Sequence, residues 1–105
     1  MHLQQNKISQ IDPQTFQQMN TLLYLNLEIN QLKVLKSNLF SSLIQLTYLD
    51  ISDNQINAIE RNIFDNLTRI NDVFATGNEC IDKSAISGLN TNLNLQFETC
   101  FKGFE

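Results

Sequence analysis

The residues with chemistry to offer are few. They are one histidine, His2, two cysteines, Cys80 and Cys100, and four carboxylates, Glu28, Asp50, Asp53 and Asp72, interleaved with Tyr24, Asn26, Tyr48 and Phe74. General acid-base or nucleophilic catalysis needs a base within reach of a proton donor or nucleophile, and Asp50 with Asp53 has neither beside it. No Cys, His or acidic cluster has metal-ligand spacing, and no glycine-rich phosphate loop is present. A Ca2+ site would need six or more oxygens in a closed geometry, which Asp50, Asp53 and Asp72 do not supply. The expectation is therefore no enzyme, no metal and no cofactor. What remains is recognition. Tyr24, Tyr48 and Phe74 offer large contact area at low entropic cost, and Glu28, Asp50, Asp53 and Asp72 favour a basic protein or peptide. Carboxylates on an exposed strand face also serve solubility alone.

Charge and hydropathy narrow the partner further. Lys and Arg total 7 against 11 for Asp and Glu, giving a net charge of −4 that repels a phosphate backbone, so nucleic acid is excluded. The longest apolar runs are only a few residues, such as Leu22–Leu23, so membrane insertion is not expected either.

What positions these residues is a repeat. Asn6, Asn30, Asn54 and Asn78 recur every 24 residues, each flanked by apolar residues at matching offsets. The pattern L-x-x-L-x-L-x-x-N-x-L runs through Leu22, Leu25, Leu27, Asn30 and Leu32, then through Leu46, Leu49, Ile51, Asn54 and Ile56. A weaker copy has Ile70, Val73, Ala75, Asn78 and Cys80, and a partial one has Met1, Leu3, Asn6 and Ile8. Behind each copy, Ile11, Leu35 and Ile59 precede Phe16, Phe40 and Phe64 by five positions. Met19, Leu43 and Leu67 follow three positions later.

Alternation at Leu25 and Leu27 puts both on the buried face of a short strand, with Asn26 and Glu28 facing outward. The repeated asparagine then falls where the chain turns, and a buried turn leaves backbone groups needing partners. An amide both donates and accepts, so Asn6, Asn30, Asn54 and Asn78 are expected to form a structural ladder. The phenylalanines are expected to form a spine filling each coil from its return side. That return path is about a dozen residues long, which predicts 3-10 turns and irregular backbone rather than long helices. Asp12 before Pro13 and Ser37 before Asn38 suit N-caps of such turns.

These repeats resemble the leucine-rich-repeat family, in its extracellular class of 24-residue units, over residues 1–80. The resemblance implies an α/β solenoid: a horseshoe fragment with a parallel β-sheet on its concave face and short turns on its convex face. It also implies that the concave sheet is the binding surface.

The 24-residue phase is lost after Cys80, and residues 81–105 are expected to form a C-terminal cap. Ile86, Leu89, Leu93, Leu95 and Phe97 supply an apolar lid, and its first part suits a short helix. Cys80 and Cys100 allow one intrachain disulfide or two reduced, buried thiols. The stretch from Gly77 to Asp82 resembles the short two-cysteine cap of secreted insect leucine-rich-repeat proteins, and departs from the four-cysteine cap of many vertebrate ones. That resemblance implies a disulfide and an oxidising, extracellular compartment. Asn66, Leu67 and Thr68 form an N-glycosylation sequon on the convex side, in agreement with secretion.

At the other end, Met1 and Leu3 occupy the positions of Leu25 and Leu27, so the chain starts inside a strand. The simplest expectation is that further repeats and a leader precede it in a longer protein. A chain that starts here leaves a strand edge open to a second copy. The reading is thus an extracellular, secreted module that binds a protein or peptide through its concave sheet, in innate immunity or adhesion. The alternatives are self-assembly, as a homodimer through the N-terminal edge, and an intracellular scaffold, which free thiols would mark.

Overall fold

The computed structural model describes residues 1–87 and 90–105. Three short strands repeat along the chain: β1 (Tyr24–Asn26), β3 (Tyr48–Asp50) and β5 (Asp72–Ala75). They pair in parallel with Tyr24 opposite Tyr48 and Tyr48 opposite Asp72, an offset of 24 residues at each step. A bridge between His2 and Asn26 carries the same pairing into the first residues. Parallel strands need a long crossover, and each coil supplies it as the return path.

The inward side chains meet in a single core. Leu25, Leu27, Leu49, Ile51, Val73 and Ala75 are buried from the sheet side, and Phe16, Phe40 and Phe64 from the return side. Phe16 and Phe40 lie 6.4 Å apart, whereas Phe64 packs at 4.8 Å against Phe97 of the C-terminal segment. Phe64 thus ties the last repeat's return side to the cap.

The repeated asparagines close the corners. Asn54 donates from Nδ2 to the carbonyls of Leu27 (3.0 Å) and Ile51 (3.1 Å), and its Oδ1 accepts the Leu32 N–H at 3.1 Å. Asn30 does the same toward Leu3 and Leu27, accepting from Asn6 and Ile8. Asn78 donates to Ile51 and accepts from Ile56. The exposed Asn6 only reaches the Gln4 carbonyl. The residue before each asparagine has positive φ: Gln5 (62°), Ile29 (58°), Asp53 (54°) and Gly77 (70°). This left-handed step turns the backbone so that the amide points inward.

The return path holds a 3-10 turn at Ser37–Leu39, and also a feature that the expectation of irregular backbone omits. Two-residue strands β2 (Val34–Leu35) and β4 (Ala58–Ile59) pair in parallel there. Asp12 does accept a backbone hydrogen bond, from Gln14 at 2.8 Å. Ser37 does not cap its turn: the N-cap is Lys36, without a side-chain bond, and the Ser37 N–H donates to Glu60 Oε1 at 2.8 Å. The cap comes from the next coil because Glu60 follows Lys36 by one repeat.

The C-terminal segment departs from expectation at its start. Its first part is a strand, β6 (Lys83–Ser87), antiparallel to β5, and not a helix. The outer edge of β5 carries backbone groups that need partners, and an antiparallel strand satisfies them where the parallel coils stop. Helices α1 (Asn90–Gln96) and α2 (Glu98–Phe104) follow. Ile81, Ile86, Leu93, Phe97, Cys100 and Phe101 are buried over the last coil, but Leu95 is 75% exposed and takes no part. Leu89 lies outside the described residues. A disulfide joins Cys80 to Cys100, with the Cα atoms 5.0 Å apart. α2 lies directly on β4, where a Cβ at Gly103 would stand 2.4 Å from the Asn57 carbonyl oxygen. Arg61 crosses the seam from the third coil, bonding Glu98 and Glu105 and covering the Phe101 ring at 5.1 Å. Among the described residues no helix is long and apolar enough to cross a membrane.

Candidate functional site

On the solvent side of the sheet the aromatic residues form one continuous row. Tyr24 and Tyr48 occupy equivalent positions in β1 and β3, so a parallel register brings their rings face to face at 4.5 Å with 16° between planes. Asp72 takes that position in β5, and the row continues diagonally to Phe74, two residues on and on the same face of the strand. Tyr48 and Phe74 lie 5.1 Å apart. At the other end His2 rests 5.0 Å from Tyr24. His2 thus belongs to the row. The 24-residue phase, which sets it opposite Asn26, is the signal that finds it.

The polar residues divide into two groups. Asn26 and Asp50 follow the outward alternation but are only 8% and 7% exposed. Their short side chains fold back along the strand: Asn26 Oδ1 accepts the Glu28 N–H and Asp50 Oδ1 accepts the Ser52 N–H, each at 2.9 Å. Asn26 Nδ2 also donates to the Tyr24 hydroxyl at 3.2 Å. Both side chains therefore brace the strand ends, rather than standing free as their outward-facing positions suggest. Glu28 is half-buried, while Asp53 and Asp72 are exposed. Asp53 projects over Gly77, where a Cβ would lie 2.1 Å from its Oδ1.

Electrostatics on this face are one-sided. Burial, reinforced by Asp50 and Asp53, raises the Glu28 carboxyl above its ordinary range. Burial, with Asp50 next, raises the Tyr48 phenol, which keeps its proton and remains a donor. Residues 22–30, 46–54 and 70–78 hold Glu28, Asp50, Asp53 and Asp72 and no lysine or arginine. Those four carboxylates equal the net charge of −4, so the rest of the chain is balanced. Among the described residues no ion pair reaches them; the two present join Arg61 to Glu98 and Glu105. No group of three or more His, Cys, Asp or Glu side chains among the described residues could hold a metal.

The convex side carries the other predicted residue. Asn66 is exposed, and its Nδ2 donates to the Ser41 carbonyl at 3.1 Å. It lies on the return path, outside the strands that carry the aromatic row.

Parallel strands set 24 residues apart, with an asparagine ladder at each corner, define a leucine-rich-repeat solenoid. The leucine-rich-repeat family model matches residues 1–56 and again residues 24–79, and the chain belongs to that family. Domains of this kind are generally protein-interaction modules. Among solved structures, the chain is similar to the leucine-rich repeat domain of APL1B, an insect protein, at a TM-score of 0.73 and 23% identity. The match covers 75% of this chain and 24% of that one, so the chain spans about a quarter of its length. No curated protein matches the sequence.

Proposed function

We propose that this chain is an extracellular, secreted recognition module that binds a protein or peptide through its concave sheet, in innate immunity or adhesion. One observation carries the reading: half-exposed Tyr24, Tyr48 and Phe74 form an unbroken row across three coils. A row of rings in contact is a shaped apolar surface, unlike scattered exposed residues, and rigid aromatics are what protein interfaces use as anchors. Residues 1–80 act as the repeats and residues 81–105 as the cap. The Cys80–Cys100 disulfide supports an oxidising compartment, and the exposure of Asn66 supports glycosylation there.

The test is selection of peptides from a random display library on the intact chain, followed by titration of each peptide against Tyr48→Ala. Loss of binding with an unchanged melting temperature supports the reading. Unchanged affinity for every selected peptide removes it.

A second reading has its own observation: half-buried Met1, Leu3, Ile8, Ile11, Met19 and Leu22 lie at the N-terminal end of the core. Homodimerisation through that end would cover them. Sedimentation showing a dimer that Leu3→Lys disperses supports this reading, and a monomer at high concentration opposes it.

A further inference from the structure

We infer that the segment seated on the concave face is basic and extended, with arginine or lysine stems lying along the Tyr24–Tyr48–Phe74 row and their charged heads on Glu28 and Asp72. The inference rests on the concave-face reading above and specifies the chemistry of its partner.

Charge segregation is the first argument. Residues 22–30, 46–54 and 70–78, which carry the rings, hold four carboxylates and no lysine or arginine, and those four equal the net charge of the chain. A solubility role distributes charge over a surface, whereas a one-signed patch raises the local concentration of an oppositely charged partner. Among the described residues no ion pair reaches these carboxylates, and Asp50 and Asp53 repel Glu28. A cation from outside removes that repulsion.

The rings supply the second argument. Tyr24 and Tyr48 cover each other's faces, so along the row a ligand meets ring edges and the narrow apolar rail they make. Long aliphatic stems suit such a rail while holding a charge at its margin. Arginine adds a planar fork that engages a carboxylate through two parallel bonds. The row ends at half-exposed Phe74, the ring that a guanidinium would engage by a cation–π contact. Asp72 replaces a third tyrosine in the column, which sets a carboxylate beside the rings at the end where the row turns toward Phe74.

The experiment titrates the intact chain with acetylated, amidated hexa-arginine, followed by backbone amide NMR, with hexa-citrulline as the neutral isostere. The expected result is shifts at residues 24–28, 48–53 and 72–74 with hexa-arginine and none with hexa-citrulline. Glu28→Gln with Asp72→Asn weakens binding about tenfold, and affinity falls as salt rises from about 50 to about 300 mM. Tyr48→Leu keeps every charge and weakens binding about threefold or more. Absence of binding, equal binding of hexa-citrulline, or shifts confined to the Glu60 or Glu98 side of the molecule overturns the inference. So does unchanged affinity in the charge variant, which is the deciding measurement if Tyr48→Leu fails to fold. Display-selected peptides that depend on Tyr48 but carry no basic residue overturn this inference and leave the concave-face reading standing. Selected peptides indifferent to Tyr48 overturn both.

Discussion

Asn54 holds two coils together through one amide: its Nδ2 donates to the Leu27 carbonyl at 3.0 Å while its Oδ1 accepts the Leu32 N–H at 3.1 Å. Both partners belong to the preceding repeat. A buried backbone group that loses its partner costs about 1–3 kcal/mol. Asn54→Leu is therefore expected to destabilise by that amount in urea unfolding. Asn6→Leu, at an exposed corner that reaches only the Gln4 carbonyl, should change little. Equal losses at both positions would contradict the ladder.

Ile29 sits at φ 58°, a conformation that a β-branched residue adopts only with strain, and it is 44% exposed, so little burial offsets the cost. Ile29→Asn or Ile29→Gly is expected to stabilise by about 1 kcal/mol, read as a higher melting temperature. At Gly77 the same substitution logic reverses: φ is 70°, and a Cβ would lie 2.1 Å from Asp53 Oδ1. Gly77→Val should lower the melting temperature, and Asp53→Ala in the same chain should restore only part of the loss, because the backbone strain remains.

How much of this was legible beforehand depends on whether the cause is periodic. Leu25, Leu27, Phe40 and Asn54 obey the 24-residue phase, so their burial, the parallel sheet and the corner amides follow from spacing alone. Asn26 and Asp50 share that phase but are hidden, because a short side chain that captures the N–H two residues on lies flat against its strand. Alternation predicts direction, not reach. β6 has no periodic signature either: Lys83–Ser87 is extended because β5 offers it an edge. Arg61 with Glu98 and Glu105, and the contact of Gly103 with Asn57, join segments 37 to 46 positions apart across the repeat–cap seam, where no repeat phase relates them.

Carboxyl groups at the cap and on the sheet titrate with opposite consequences. Glu98 is held below its ordinary range by its bonds to Arg61, so its contribution to stability is present above the unfolded pKa and is lost as pH falls through the folded one. Glu105 behaves alike. Arg61→Ala should therefore melt lower than the native chain at neutral pH and converge with it in acid. Glu28 is raised, so the folded state binds its proton more tightly and stability decreases as pH rises through that window. Glu28→Gln should melt higher than the native chain at neutral pH, with the difference closing in acid. Melting curves from pH 3 to 8 test both signs, and a difference of the same sign in the two variants would contradict the assignment.

The cap is held by a covalent and a packing constraint that can be removed separately. The Cys80–Cys100 disulfide closes a loop of 20 residues and ties the last repeat to the fully buried Cys100 of α2. In the chain-entropy model a loop of this size contributes about 3 kcal/mol, and replacing both cysteines with alanine should cost an amount of that order. Gly103→Ala leaves the disulfide intact but forces a Cβ within 2.4 Å of the Asn57 oxygen, so α2 must lift from β4. Because β6 covers the edge of β5, loosening the cap by either route uncovers backbone groups of the last coil first. Hydrogen exchange should then accelerate at Asp72–Ala75 and in α2 before it does at Tyr24–Asn26. Uniform acceleration throughout would mean that cap and repeats unfold as one unit.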